Sequence, residues 1–302
     1  MGLLRRGFVS SACHMTVAPH TQPTPITPMS TRKNDAEEHP APQGVTIYYW
    51  PCSLVLLARS LLLDRPTGPL SATLRIACAK PYFIEVNGQQ LQTRASLVAP
   101  KAERKRIFAV DSEVALFYLP LDMPEYAGVR AVLGDASLVE LPIEIFEPFI
   151  PRLQRAMREV VSPQEIKDIV AQVVAAMTRY APATRTAPAQ QDERVLKACR
   201  VLDEMPLRDV SLEAVARQVH LSSSRLRDLF KQQTGFTIGD YARWRAVWRA
   251  ALLWQRGLTI TRVAEEAGFH DLAHADRAFN QVFGMNPSSV IDPKFVTLVS
   301  CE

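Results

Sequence analysis

Two stretches near the C-terminal end repeat one another at an offset of about fifty residues, and no other feature restricts the fold as strongly. The first, starting at Ser211, reads SLEAVARQVHLSSSRLRDLFKQQTG; the second, starting at Thr259, reads TITRVAEEAGFHDLAHADRAFNQVFG. Ser211 and Thr259 both suit a helix N-cap, because a side-chain oxygen there can accept an otherwise orphaned backbone N–H. Leu212, Val215, Ala216 and Val219 then match Ile260, Val263, Ala264 and Ala267 as inward positions of a short helix. A tight turn follows, His220-Leu221 in one copy and Gly268-Phe269 in the other. Gly268 fits the left-handed residue that closes such a helix, and His220 has to tolerate that conformation. Ser222 and Asp271 next cap a second helix, packed through Leu226, Leu229 and Phe230 in one copy and Ala275, Ala278, Phe279 and Phe283 in the other. Each copy reads as helix, short turn, helix.

Between the copies, Ile238 to Gln255 carries Tyr241, Trp244, Val247, Trp248, Ala251 and Leu252 on one side, with Arg243, Arg245 and Arg249 nearby. One continuous helix there would fix the spacing and angle of the two units. From about Val195 to Val290 this pattern resembles the DNA-binding domain of the AraC/XylS family of transcription regulators. The resemblance rests on Ser211 to Phe230 with Lys231 and Gly235, on the arginine-studded linker helix, and on Ala264, Gly268, Phe269, Arg277, Phe279, Phe283, Gly284 and Pro287. Three positions depart from the family pattern: Asn280 replaces a basic residue, Ala275 is smaller than usual, and Ile291 stands where an arginine is common. These departures point to a second unit that grips DNA less strongly than the first.

The resemblance implies that the second helix of each unit enters a major groove with its N-terminal half against base edges. In the first unit the outward positions are Ser223, Ser224, Arg227 and Asp228, flanked by Arg225 and Lys231. Arg227 could fork onto guanine O6 and N7, whereas Ser222 and Lys231 better suit phosphates. In the second unit the outward set is Leu272, Ala273, His274, Asp276 and Arg277, with Arg277 and His274 carrying most of the readout. Arg243 on the linker helix joins this DNA-facing set. Any one of these charges taken singly reads equally well as a solvated surface residue. The implied partners are double-stranded promoter DNA and RNA polymerase, with a homodimer as one arrangement.

Upstream the pattern is different, and the chain as a whole reads as α+β. Residues 1–43 form a Pro- and Thr-rich leader expected to be disordered, with Met15 a candidate true start. Residues 44–140 alternate short apolar runs with turn signals, as in a small barrel or sandwich. Asn87-Gly88 suits a type I′ hairpin turn between Tyr82–Val86 and Gln89–Thr93, and 96–100, 106–110 and 114–119 read as further strands. This half resembles the cupin-like sensor barrel of the same family, though less specifically. Candidate ligand-binding residues are Tyr82, Phe83, Arg94, Arg104 and Tyr118, each of which also has a purely structural reading; the basic turn 101–106 could hold an acidic effector or contact the DNA-binding domain, and reads best as a solvated loop. Residues 141–180 predict a helical hairpin, with Ser162 as a cap and an apolar stripe from Ile166 to Met177 that serves internal packing, dimerisation or both. Residues 181–191 read as a linker, everything after Asp192 as helical, and 293–302 as a tail.

Composition limits the alternatives. No histidine lies between His39 and His220, so the barrel has no imidazole for a metal, no cofactor is expected, and a cupin enzyme is disfavoured. Five scattered cysteines, none in a C-x-x-C or Pro-Cys-His setting, argue against a disulfide framework, a zinc site and a fused DNA-repair methyltransferase, and favour the reducing cytoplasm. No apolar run reaches the roughly 18 residues of a membrane helix. What stands is a DNA-binding regulator, responding either to a small effector in the barrel or to a protein partner.

Overall fold

In the computed structural model, residues 44–50, 53–181, 192–254, 257–283 and 296–301 are described. The predicted leader, all of the predicted linker but Ala181, and Gly284, Pro287, Val290 and Ile291 lie outside them. Apolar and β-branched runs form strands β1 (Val45–Trp50), β2 (Ser53–Ala58), β3 (Leu61–Leu63), β4 (Ala72–Ala77), β5 (Tyr82–Val86), β6 (Gln89–Thr93), β7 (Ala95–Val98), β8 (Arg104–Ala109) and β9 (Val114–Leu119). Helix α1 (Tyr126–Leu133) and strand β10 (Leu138–Glu140) complete the barrel region. Asn87 and Gly88 take φ of 48° and 80°, and the hairpin they close pairs Val86 with Gln89. That is the I′ geometry expected of the dipeptide.

The strands build two sheets, one of seven in the order β10-β7-β4-β9-β2-β1-β11 and one of four in the order β3-β8-β5-β6. They meet through buried faces, where the Tyr82 hydroxyl lies 2.6 Å from Ser96 Oγ. The larger sheet is covered on its other side by α2 (Ile150–Arg158) and α3 (Pro163–Arg179). The turn between them is pinned to the sheet where the Val161 N–H donates to the Tyr48 hydroxyl at 2.8 Å. Ser162 caps α3 as expected, accepting from the Glu165 N–H. Ile166, Ile169, Val173, Val174 and Met177 are buried within the single chain, so this stripe serves internal packing.

The C-terminal half folds as α4 (Glu193–Glu204), α5 (Leu212–Gln218), α6 (Ser223–Thr234), α7 (Ile238–Trp254), α8 (Ile260–Ala267) and α9 (Leu272–Phe283). Three expectations need correction. The chain after Asp192 is not all helical, because residues 296–300 of the expected tail form strand β11 (Val296–Ser300), parallel to β1 with Val45 opposite Val296 and Tyr49 opposite Ser300. Its VTLVS sequence is rich in β-branched residues, and β1 offers an open edge to pair with. Helix α1 was not expected between the strands. The turn 101–106 is not simply solvated: Lys101 has φ of 59°, and Arg104 opens β8 with 2% exposure.

The two halves pack together. Arg245 of α7, 8% exposed, lies between Asp203 of α4 and Asp122 of the barrel region, the latter at 3.6 Å. Lys101 pairs with Asp240 at 3.3 Å, and the Gly68 N–H donates to the Gln281 carbonyl at 3.1 Å. An apolar cavity of about 70 Å³ remains at the junction, lined from one side by Ile47, Leu56, Leu116 and Tyr118 and from the other by Trp248, Phe279 and Phe283.

Candidate nucleic-acid interface

Both C-terminal units are made by the same local devices. Ser211 Oγ accepts from the Ala214 N–H at 3.1 Å and Thr259 Oγ1 from the Arg262 N–H at 3.4 Å, so α5 and α8 start alike. Both then end in a Schellman motif. In the first, the Leu221 N–H reaches the Ala216 carbonyl at 3.0 Å across His220, whose φ is 56°. In the second, the Phe269 N–H reaches the Ala264 carbonyl at 2.9 Å across Gly268, whose φ is 89°. Ser222 and Asp271 cap the following helices through the Arg225 and His274 N–H groups at 3.3 and 2.6 Å. The backbone N–H of His274, and then the His270 ring, hold the Asp271 carboxyl below the usual carboxylate range.

A third device ties the units together. A Cβ on Gly268 would lie 2.5 Å from the Leu207 backbone nitrogen, so the turn of the second unit sits directly on the segment that leads into the first. Arg208 there donates to the Glu265 carbonyl at 3.2 Å, and Arg249 of α7 donates to the Met205 carbonyl at 3.0 Å. Of the arginines along the linker helix, Arg245 and Arg249 thus serve as internal ties.

On α6, Ser224, Arg225, Arg227, Asp228 and Lys231 are exposed along with the cap Ser222, and Ser223 is half-buried. Leu226, Leu229 and Phe230 point into the unit. Arg217, exposed in the last turn of α5, adds a cation that the sequence reading passed over; its signal was a basic residue just before the turn. On α9, Ala273 and Arg277 are exposed, but the rest of the expected outward set is more enclosed. Leu272 is half-buried against the core of the second unit beside Val247, Ala250 and Phe269, and Asp276 lines the same spot. His274 sets its ring edge-on to Phe269, centroids 5.3 Å apart. Arg243 is placed elsewhere, half-buried in the cleft between the halves, paired with Asp240 at 3.4 Å and beside Lys101 and Gln281.

The candidate ligand residues occupy three places. Phe83 stacks on Phe108 at 6.0 Å, on β5 and β8. Arg94, half-buried, donates to the Ala77 and Cys78 carbonyls at 3.3 and 3.2 Å. Tyr82, Arg104 and Tyr118 are buried between the sheets. Burial pushes the Tyr82 hydroxyl up to about 12, and it raises Tyr118 as well, in both cases against the pull of Arg75. Arg75, 1% exposed in the middle of β4, was not anticipated; its signal was an arginine inside the apolar run ATLRIA.

Comparison with known proteins agrees with this geometry. A family model described as a helix-turn-helix domain matches residues 215–292. The transcriptional activator RhaR of Pectobacterium atrosepticum is 34% identical over 119 residues, which are 39% of this chain and 41% of that protein. The arabinose operon regulatory protein of Escherichia coli K12 is 32% identical over 99 residues, 32% of this chain and 34% of that one. The chain therefore spans about four-tenths or less of the length of these relatives. Among solved structures, ToxT from Vibrio cholerae O395 superposes with a TM-score of 0.50 at 10% identity, covering 79% of this chain and 96% of that one. An apo ToxT variant from strain SCE256 gives 0.53 with the same coverage. These superpositions support the overall α+β fold, a β-rich cupin-like half followed by a helical one. The C-terminal part of the chain thus matches a helix-turn-helix domain and is similar to the corresponding parts of these regulators.

Proposed function

We propose that this chain is a sequence-specific DNA-binding transcription regulator whose barrel half responds to a small effector. The carrying observation is the duplication: two units with matching caps and matching left-handed turns, locked together by α7 and the Gly268 contact, with Arg227 and Arg277 exposed on their second helices. Two recognition helices about 34 Å apart would meet successive major grooves on one face of a duplex. A monomer could then span an asymmetric promoter site; a dimer would bind two such sites. RNA polymerase is the partner expected of a regulator that works at a promoter.

In this reading Arg227 forks onto a guanine edge, while Ser222, Arg225, Lys231 and Arg217 hold phosphates, where charge counts more than direction. The second unit contributes through Arg277 and His274. Its outward face is narrower than that of the first, since Leu272 and Asp276 are drawn towards the core. The effector part of the proposal is supported by the apolar cavity, which both halves line, so that a bound molecule would touch the DNA-binding half directly. The reading is non-enzymatic. A further relative, a bifunctional transcriptional activator and DNA repair enzyme of E. coli K12, is matched at 32% identity over 38% of its length.

Titration of the Arg227→Ala variant against a selected genomic fragment and against random duplex, at one fixed salt concentration, tests the DNA reading. Binding to the selected fragment is expected to weaken by roughly ten- to a hundredfold, in line with about 1–3 kcal/mol for a bidentate base contact, with little change on random DNA. An equal loss on both would make Arg227 a phosphate contact.

A further inference from the structure

The barrel interior holds two guanidinium groups without a counter-charge. Arg75 and Arg104 are 1% and 2% exposed. Among the described residues neither makes an ion pair. Arg104 donates to the Ala102 and Ala99 carbonyls at 3.2 and 3.3 Å, and to Thr73 Oγ1 through Nε and a terminal nitrogen at 3.2 and 3.0 Å. Arg75 donates to the same Thr73 oxygen at 2.9 Å, and its buried Nε has no partner among the described residues. One neutral hydroxyl thus receives three cationic N–H groups, more than its two lone pairs can serve. Arginine does not shed its proton to escape such a site, so both charges persist at neutral pH. Burial pushes Arg104 down to about 9, and neighbouring Arg75 adds to the shift. The acid nearest in register, Glu140 opposite Ser96, is exposed at the sheet edge. Around the pair stand the Tyr82 and Tyr118 rings, which supply hydroxyl groups and no negative charge.

The surroundings define what would complete this site. Along the sheet Arg75 is flanked by Ser96 on one side and Leu116 on the other, and Thr73 is paired with Tyr118. Directly paired residues project from the same face, so the guanidinium pair adjoins the face that lines the apolar cavity through Leu116 and Tyr118. We infer that the barrel binds an organic carboxylate, its anionic head between Arg75 and Arg104 and its apolar body directed past Tyr118 into the junction cavity. This rests on the effector reading above and gives that effector a chemical class. A carboxylate supplies acceptors in the planar arrangement that guanidinium forks match, whereas inorganic anions have no use for the apolar wall.

The test is thermal unfolding of the full chain in sodium butyrate, octanoate or phenylacetate, against sodium chloride and phosphate at equal ionic strength and against octan-1-ol. At least one carboxylate is expected to raise Tm saturably, with no such rise in chloride, phosphate or octan-1-ol. In Arg75→Met the ligand-free Tm is expected to equal or exceed that of the wild type, because a lone buried charge has been removed, and the carboxylate increment should vanish. Equal midpoints in all three carboxylates and chloride would overturn the inference, as would a rise in phosphate alone or an increment retained in Arg75→Met. The wild-type comparison decides the matter even if the variant does not fold. DNA affinity measured with and without the active carboxylate separates the two readings. A raised Tm with unchanged DNA affinity upholds the anion site and removes its role as effector site. No rise in Tm removes the site and leaves DNA binding untouched.

Discussion

Tyr118, on the central barrel strand β9, lies edge-on to Trp248 of the long helix α7, ring centroids 6.1 Å apart, and its ring is also 6.0 Å from Phe283 at the end of α9. A single aromatic side chain therefore touches the helix that joins the two units and the second helix of the second unit. If this contact holds the halves together, substitutions at its two ends will not be additive. A double-mutant cycle of Tyr118→Leu and Trp248→Leu, followed by urea unfolding, is expected to give a coupling energy of about 0.5–1.5 kcal/mol, the range for edge-to-face pairs. Strictly additive losses would show that the docking is held elsewhere.

The two Schellman turns predict opposite outcomes for opposite substitutions. His220 pays for a left-handed conformation that glycine adopts freely, so His220→Gly is expected to stabilise the first unit by up to about 1 kcal/mol, after allowing for glycine's greater freedom in the unfolded chain. Gly268→Ala meets both the conformational penalty, about 1–2 kcal/mol, and a backbone nitrogen 2.5 Å from the new Cβ. It is expected to cost more than 2 kcal/mol and to weaken DNA binding through the second unit. Chemical denaturation of both variants checks the contrast.

A pH effect is expected at the Asp203–Arg245–Asp122 cluster. Burial pushes the Asp203 carboxyl from its ordinary value of 3.8 up to about 7; Arg245 opposes the shift and Asp122 adds to it. Between those values the folded chain holds a proton that the unfolded chain releases, so this contribution is complete below about pH 4 and is lost as pH rises through about 7. Comparing wild type with Asp203→Asn in urea unfolding from pH 4 to 8 isolates it: the variant should lack this downward trend. Parallel curves would mean that Asp203 stays ionised throughout.

The caps of the repeat predict matched losses. Ser211→Ala and Thr259→Ala each remove an acceptor from a helix start, and each is expected to cost about 1 kcal/mol. Urea midpoints of the two variants check this, and a loss confined to one of them would mean that the units do not share the same start.

The parts of this fold that could be read in the sequence are those fixed within a few residues. Ser162, Ser211, Ser222, Thr259 and Asp271 cap helices because their acceptors lie three residues away from the N–H groups they serve. Asn87-Gly88 and Gly268 announce positive φ by residue type alone. The parallel pairing of β11 with β1 joins opposite ends of the described chain, and no local pattern encodes such a partner. Leu272 shares the outward phase of its helix, but α9 packs on a second side, against Val247 and Ala250, and this draws it inward. Arg75 escaped notice because an arginine in a strand ordinarily faces water, while β4 is buried on both faces.

The central claim is that two linked units read one face of a duplex. Hydroxyl-radical footprinting of the full chain on a fragment selected from genomic DNA measures this most directly. The expected pattern is two protected segments on one face, about 10 base pairs between centres, with the first lost in Arg227→Ala and the second weakened in Arg277→Ala. A single protected segment, or two that respond identically to both substitutions, would contradict it.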